Sequence, residues 1–355
     1  MKILIITTGG TISQEEDATG IHVSCGDTAN QGFLEHVRSY PKNKKVAFDV
    51  RNMFNIDSTF MTPRHWNEIL GLLAEKHDDY DAFCITHGTN TMGQTAAALS
   101  FGLEYFQKPV YITGSQVPFG LEGADANQNF ENMIKLARDN HKNMKGVFVV
   151  VGSAVACGTR AKKISDNSYA AFSSFQASAV AELGARSEVL FNKKVLNDNN
   201  KRFSGDGTAR VFDKFPEHIV TSLNDFSGID GNDLKILADS GKKGFVFRGT
   251  GAADVSREIL SALPYLREKK IPIVVTTQIP TGLASMDINE PGIEAAKLGA
   301  IPAFDMSIES ITAKMLYLIA KGVKYENFKR EMLTNYKGEI NSEKFKKEIA
   351  RAISL

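Results

Sequence analysis

The chain has 355 residues, of which 43% are hydrophobic and 23% are charged, a balance typical of a soluble globular protein with a sizeable core. The 42 Lys and Arg against 41 Asp and Glu give a formal net charge of +1, which excludes a whole-protein field that attracts nucleic acid or an anionic membrane. No stretch approaches the roughly 18 consecutive apolar residues of a membrane span, and the length predicts two domains.

The first half of the chain alternates short apolar runs with helical patterns, and the runs predict strands that are buried on both faces. Such alternation predicts an α/β fold with a doubly wound, mostly parallel sheet. Strands are predicted at Ile3–Thr7, Val46–Val50, Ala82–Thr86, Val110–Thr113 and Val147–Val151, and helices at Thr62–Lys76, Thr91–Phe106 and Ala124–Asp139.

A segment rich in Lys, Asn, Asp and Gly separates this half from a smaller α/β region. We therefore expect a first domain over 1–193, a linker over 194–215 and a second domain over 216–355. In the second domain the predicted elements are strands at Gly244–Phe247 and Ile273–Thr277, and helices at Ser256–Lys270, Ser307–Lys321, Glu326–Thr334 and Ser342–Ile353.

The N-terminal run MKILIITTGGTI is predicted to be the first strand, because it lacks the long apolar region and the cleavage site of a signal peptide. A cytoplasmic location is expected if the chain is the whole gene product. The three cysteines, Cys25, Cys84 and Cys157, are too widely spaced to indicate a disulfide framework or a zinc site.

Polar, Gly-rich segments follow four of the predicted strands, and they read TTGGT, NIDST, THGTNT and TGSQ. In a parallel α/β sheet, ligands bind beyond the carboxyl ends of the strands. Thr11 and Thr89 lie in two of these segments, while Thr91 is well placed to cap the following helix. Lys163 belongs to a later basic segment, and a partly desolvated Lys can act as a base. Taken alone, each of these signals also has a purely structural explanation: an ordinary Gly-Gly-Thr turn, a hydrogen-bonded His87 near the core, or a solvated Lys.

Taken together, these segments resemble the bacterial-type L-asparaginase/glutaminase family, and the cytoplasmic type I enzymes in particular. The resemblance runs nearly from end to end. It is carried by Thr8–Ile12, His87–Met92, Asp57–Pro63 with Trp66, Thr113–Pro118, Arg160–Lys163, Ala171–Ser174, Arg248–Ala252 and Asp305–Glu309 with Lys314.

The resemblance implies an amidohydrolase that converts L-asparagine to aspartate and ammonia. Thr11 would attack the side-chain amide and form an acyl-enzyme. Thr89 and a neutral Lys163 would form a second hydroxyl–base pair, with the Thr89 backbone near the developing oxyanion. The implied substrate-binding residues are Asp57, Ser58, Asn90, Gly10 and Gly88, of which Ser58 and Asp57 would hold the α-carboxylate.

The same resemblance implies a two-domain fold, a small-molecule amide substrate, no metal or organic cofactor, and no nucleic-acid or membrane partner. A homo-oligomer, either a tetramer or a dimer of close dimers, is expected. The family Asp that pairs with the substrate ammonium is Asn90 here, a change worth about 1–3 kcal/mol for a charged ligand. The family lid Tyr is absent from Ser13–Asn30, where His22 is either a substitute base or an exposed loop histidine.

These departures leave three readings of Asn90 open: a slow enzyme, a substrate whose amine is absent or acylated, or a deliberate change that traps a complex. Other classes also remain. The chain fits a weakly catalytic amino-acid-binding relative, although a binder needs no paired Thr and Lys. A tRNA-dependent amidotransferase component is expected to carry an extra N-terminal domain. A nucleotide-binding protein is excluded by the missing G-x-G-x-x-G and Walker patterns.

Overall fold

The computed structural model describes residues 1–16, 19, 22–24, 31–39, 46–184 and 188–355, without the side chains of residues 16, 22–24, 31, 34 and 38. The chain divides into two compact units, Met1–Asp213 and Lys214–Leu355. No helix in the described ranges is long and apolar enough to cross a membrane.

The first unit is built on an eight-stranded sheet whose central strands are parallel. Its order is β13-β12-β9-β8-β7-β5-β1-β4, and the pairs from β8 to β4 are all parallel. The strands are β1 (Lys2–Gly9), β4 (Ala47–Ile56), β5 (Ala82–Thr86), β7 (Pro109–Thr113), β8 (Gly146–Val151), β9 (Ala154–Cys157), β12 (Ala181–Leu183) and β13 (Val189–Phe191). The predicted doubly wound α/β architecture is therefore confirmed.

Five α-helices lie among the described residues of this unit, and their buried faces pack on the sheet or on one another. They are α1 (Gln31–Ser39), α2 (Pro63–Glu75), α3 (Met92–Gly102), α4 (Ala126–Asn140) and α5 (Lys193–Phe203). Helix α2 begins as its Thr-Pro signal predicts: Pro63 occupies the first turn, and the Thr62 N–H donates to Nδ1 of His65 at 3.0 Å. Its buried Trp66, Ile69 and Leu70 face the core.

The first unit also contains short strand pairs, which sequence patterns did not predict because each strand is only two or three residues long. They are β2 (Gln14–Glu16) with β3 (His22–Ser24), β6 (Leu103–Glu104) with β14 (Arg210–Val211), and β10 (Ala161–Lys163) with β11 (Phe172–Ser174).

Two sequence-based boundaries differ from the structure. Helix α3 ends at Gly102 rather than at Phe106, because the chain turns there into β6. The Gly102 carbonyl accepts from the Phe212 N–H at 2.7 Å, and a Cβ at Gly102 would lie 2.7 Å from Leu70. The segment expected to link the domains contains α5, which buries Leu196, Asn199 and Phe203. Both α5 and β14 lie within the first compact unit.

The second unit is a smaller α/β layer, as predicted. Its four-stranded parallel sheet has the order β15-β16-β17-β18. The strands are β15 (Val220–Asn224), β16 (Gly244–Gly249), β17 (Ile273–Thr277) and β18 (Ile301–Pro302), and the helices are α6 (Gly231–Asp239), α7 (Arg257–Glu268), α8 (Glu290–Lys297), α9 (Ile308–Ala320), α10 (Tyr325–Leu333) and α11 (Lys346–Ser354).

A buried ion pair fastens the segment after α10 to α9. Lys314 and Glu339 are both fully buried, and their Nζ and Oε1 atoms lie 2.6 Å apart. Lys314 also donates to the carbonyl oxygens of Met332, at 2.9 Å, and Thr334. The Glu339 carboxylate accepts from the N–H of Tyr336 at 3.0 Å and of Lys337 at 2.7 Å. These hydrogen bonds offset the free-energy cost of burying the two charges. Removing one partner would therefore leave the other charge buried and uncompensated.

Candidate functional site

The site lies where three parallel strands end side by side. β1 is flanked by β4 and β5; Gly9 pairs with Ile56 on one side, and Thr7 pairs with Thr86 on the other. The chain moves from β1 to β4 and then crosses back to β5, so the sheet order reverses beside β1. Such a reversal opens a crevice at the carboxyl ends of the strands, and the segments that carry Thr11 and Thr89 both emerge there.

Two glycines bring these segments into direct contact. A Cβ added to Gly10 would lie 2.2 Å from the Gly88 Cα atom, and one added to Gly88 would lie 2.6 Å from Oγ of Ser58. Gly10 also has a φ of 81°, in the region that favours glycine. Side chains are excluded at both positions, so the loops that follow β1 and β5 meet backbone to backbone, and the Ser58 side chain of the loop after β4 packs against Gly88. Thr11 and Thr89 each come one residue after a contact glycine.

Thr11 opens a single 3-10 turn, Thr11–Ser13, directly after the glycine pair. The turn is held by Ser13, whose N–H and hydroxyl both donate to the Gly10 carbonyl, at 2.9 and 3.1 Å. The Thr11 side chain is half-buried, and no described residue forms a hydrogen bond with its hydroxyl. The following hairpin pairs Glu16 with His22, but the His22 side chain lies outside the described residues, as does Cys25.

Lys163 ends β10, and its ammonium group lies against two side chains of the THGTNT segment. Nζ donates to the Thr89 hydroxyl at 2.8 Å and to Oδ1 of Asn90 at 2.8 Å. Burial lowers the pKa of Lys163 from its ordinary value, and the charges of Asp166 and Asp57 only partly oppose this. A lysine with a lowered pKa spends more of its time neutral, which suits a proton acceptor.

Gln116 completes the surroundings of Thr89, and sequence reasoning assigned it no role. Its side-chain oxygen accepts from the Thr89 hydroxyl at 3.2 Å, and its amide nitrogen donates to the Ser165 carbonyl at 3.3 Å. The buried carboxylate of Asp125 accepts from the backbone N–H groups of Gln116, at 3.0 Å, and Val117, at 3.1 Å. One sequence signal indicated that this loop belongs to the site: the TGSQ segment directly follows a predicted parallel strand.

Ser58 and Asp57 occupy the turn after β4. Ser58 is buried beside Gly88, and Asp57 accepts from the Thr59 N–H at 2.7 Å. The Ser58 carbonyl accepts from the Thr91 hydroxyl at 2.6 Å. The expectation that the Thr91 side chain caps α3 is wrong: Thr91 stands at the N-cap position, but its hydroxyl joins the two loops instead.

His87 lies beneath the site, fully buried. Its Nδ1 donates to the Gly88 carbonyl at 2.7 Å, and its Nε2 is 2.9 Å from the Thr95 hydroxyl. Burial lowers the pKa of His87 to about 4, although the bond to Gly88 opposes the shift. His87 is thus a neutral, hydrogen-bonded core residue at ordinary pH, not a group that exchanges protons with the crevice.

The arrangement suits attack on a carbonyl carbon. One half-buried hydroxyl, Thr11, and a second hydroxyl in contact with a lysine of lowered pKa, Thr89, follow a shared pair of contact glycines. Backbone N–H groups in such a turn can face a developing oxyanion. Within the described ranges, no group of three or more His, Cys, Asp or Glu side chains is arranged to hold a metal ion.

Both halves of the chain match known family models. Residues 2–196 match the model described as Asparaginase, N-terminal, and residues 220–332 match the Glutaminase/Asparaginase C-terminal domain. Among curated relatives, a subunit of the glutamyl-tRNA(Gln) amidotransferase from Thermococcus kodakarensis is 30% identical over 349 residues, which cover 96% of this chain and 76% of the relative.

Solved structures of similar length share the fold. The thermostable L-asparaginase from Thermococcus kodakarensis superposes with a TM-score of 0.84 at 27% identity, covering 96% of this chain and 99% of that one. L-asparaginase I from Vibrio cholerae superposes with a TM-score of 0.81 at 26% identity, with the same coverage.

Proposed function

The chain belongs to the asparaginase family, as its motifs predict, and on this premise we propose that it hydrolyses the side-chain amide of L-asparagine to aspartate and ammonia. The observation that carries the proposal is the 2.8 Å contact of Lys163 with the Thr89 hydroxyl, beside the Gly10–Gly88 contact that brings Thr11 to the same crevice. A binding protein has no need of two hydroxyls and a lysine of lowered pKa at one place.

In the proposed first step, the Thr11 hydroxyl oxygen attacks the amide carbon. The C–N bond breaks, the hydroxyl proton passes to the leaving nitrogen, and ammonia departs, which leaves the acyl group as an ester on Thr11. Backbone N–H groups beside Gly10 and Gly88 stabilise the negative charge on the carbonyl oxygen.

In the second step, water attacks the ester. Neutral Lys163 accepts a proton through the Thr89 hydroxyl, and the proton returns to Thr11 when the ester C–O bond breaks. The Gln116 side chain, which accepts from the same hydroxyl at 3.2 Å, orients Thr89 before that hydroxyl proton passes to Lys163. The lowered pKa of Lys163 supports this role, since a proton acceptor must be neutral when the reaction begins.

Ser58 and Asp57 are proposed to bind the substrate α-carboxylate, and Asn90 to face the α-amine. The uncharged Asn90 supports a second candidate, an amide whose amine is absent or acylated. Its carbonyl oxygen accepts from Lys163 at 2.8 Å and carries no charge to attract an ammonium group. Free asparagine and amine-blocked asparagine therefore define the two substrate classes to compare.

The test is ammonia release from L-asparagine, D-asparagine, L-glutamine, N-acetyl-L-asparagine and succinamic acid, with the wild type and with Thr11→Ala. L-glutamine is included because one relative belongs to a glutamyl-tRNA(Gln) amidotransferase. Turnover of L-asparagine that depends on Thr11 supports the proposal. Preference for the amine-blocked or amine-free compounds supports the second candidate, and ligand binding without any ammonia release contradicts both.

We also propose that the chain assembles as a homo-oligomer, a tetramer or a dimer of close dimers. Light scattering coupled to size-exclusion chromatography measures this directly, and a monomer across the working concentration range contradicts it.

A further inference from the structure

A continuous chain of buried hydrogen bonds runs from α2 to the backbone of the site. The Trp66 indole N–H donates to the Thr95 hydroxyl oxygen at 3.0 Å. That oxygen lies 2.9 Å from Nε2 of His87, and Nδ1 of His87 lies 2.7 Å from the Gly88 carbonyl oxygen. The three side chains are buried, so water does not compete for these bonds.

We call this chain of bonds the Trp66–Thr95–His87 relay. The groups at its two ends, an indole N–H and a carbonyl oxygen, determine where each proton lies. A carbonyl oxygen only accepts, so Nδ1 of His87 carries the ring proton. An indole N–H only donates, so the Thr95 oxygen accepts from Trp66 and directs its own proton to Nε2. His87 is held in one neutral tautomer, which agrees with the pKa of about 4 that burial imposes on it.

The last bond of the relay orients a peptide group at the site. A trans peptide is planar, with its C=O and N–H pointing in opposite directions. Because the Gly88 carbonyl is turned inward to His87, the N–H of Thr89 is turned away from His87. Thr89 is itself buried, and no described residue accepts a hydrogen bond from its N–H.

We propose that the Trp66–Thr95–His87 relay is a positioning device that holds the Thr89 N–H as an oxyanion donor for the hydrolysis. The inference rests on the proposed function, since it assigns the donor a carbonyl oxygen of the substrate. His87 acts through the Gly88–Thr89 peptide and does not touch the substrate. An N–H fixed before reaction stabilises the transition state without reorganisation, so the relay acts mainly on kcat.

The chain offers a matched pair of variants for the test. Thr95→Val removes the hydroxyl that fixes the His87 tautomer. Thr86→Val removes a buried hydroxyl that has no hydrogen-bond partner among the described residues, on the strand just before the site. Both replacements keep the shape of the side chain, so they separate loss of the relay from loss of a buried hydroxyl in general.

For Thr95→Val we expect a fall in kcat of about 10- to 100-fold, with KM changed by less than about threefold, because one oxyanion donor is typically worth 10²–10³ in kcat. Thr86→Val is expected to keep the wild-type kcat. His87→Asn, whose amide nitrogen can replace Nδ1 as the donor, is expected to retain more activity than His87→Leu at equal thermal stability.

The ring ¹⁵N chemical shifts of His87 supply a readout that does not depend on turnover. A protonated Nδ1 in the wild type is the expected result, and a protonated Nε2 overturns the relay. Equal kcat for Thr95→Val and Thr86→Val, or equal kcat for His87→Asn and His87→Leu, overturns the positioning role. If the wild type releases no ammonia from any amide, the proposed function fails and the ¹⁵N measurement still decides the relay.

Discussion

Replacing Gly88 with Ala is predicted to damage the site while leaving the fold intact. The added Cβ would lie 2.6 Å from Oγ and 2.8 Å from Cβ of Ser58, and 3.2 Å from the Cα atom of Gly10. The first contact is about 0.8 Å shorter than the 3.4 Å at which ordinary van der Waals contact begins. The loops that carry Thr11, Ser58 and Thr89 must therefore separate.

The size of this displacement determines how much stability and how much activity the variant is expected to lose. Overpacking a close contact costs about 1–3 kcal/mol of folding free energy, and a misplacement of about 1 Å in a reacting geometry can reduce the rate about 100-fold. We expect Gly88→Ala to lose at least about 100-fold in kcat/KM while it still unfolds cooperatively.

Gly71→Ala is the matched control, because a Cβ at Gly71 in α2 meets nothing within 4 Å. It is expected to keep full activity and to gain about 0.5–1 kcal/mol from helix propensity. The assays are initial rates of ammonia release and urea unfolding of both variants. Near wild-type activity for Gly88→Ala would refute the view that these loops meet backbone to backbone at the reacting centre.

Three further predictions concern charge. Asn90→Asp places a carboxylate against Lys163 and raises its pKa, so the limb on which activity rises with pH should move to higher pH; an unchanged pH–rate profile contradicts the proton-accepting role. Asp125→Ala removes the acceptor of two backbone N–H groups in the loop after β7 and should cost about 1–3 kcal/mol in denaturant unfolding. Lys314→Met strands the buried Glu339 carboxylate and should cost about 3–5 kcal/mol, of which Lys314→Met with Glu339→Gln should recover part.

The sequence predicted those features that depend on local pattern and strand order. Apolar runs located β1 and β7 to within two residues of their bounds and β5 at its observed bounds, and the rule for parallel sheets placed Thr11 and Thr89 at one edge. The pairing of Lys163 with Thr89, across 74 residues of chain, came from family resemblance rather than periodicity. Nothing in a basic segment by itself indicates which strand end it meets.

Other features could not be predicted from the sequence because they depend on long-range contacts. The polar composition of the α5 segment suggested a linker, yet Asn192 caps this helix, and Asn199 donates to the Lys145 carbonyl at 2.8 Å. Thr91 was expected to cap α3, but its hydroxyl donates instead to the Ser58 carbonyl in the loop after β4. Asn199 and Thr91 each bond to a partner far away in the sequence, where local propensity gives no signal.

The most direct test of the central claim is to detect the ester on Thr11. Wild-type enzyme mixed with L-asparagine is quenched in acid within milliseconds, digested, and analysed by peptide mass spectrometry. We predict a covalent aspartyl adduct on the peptide that contains Thr11, absent from Thr11→Ala and lost on longer incubation as water completes the reaction. Ammonia release at wild-type rates by Thr11→Ala, or an adduct on a different residue, would contradict the assignment of Thr11 as the nucleophile.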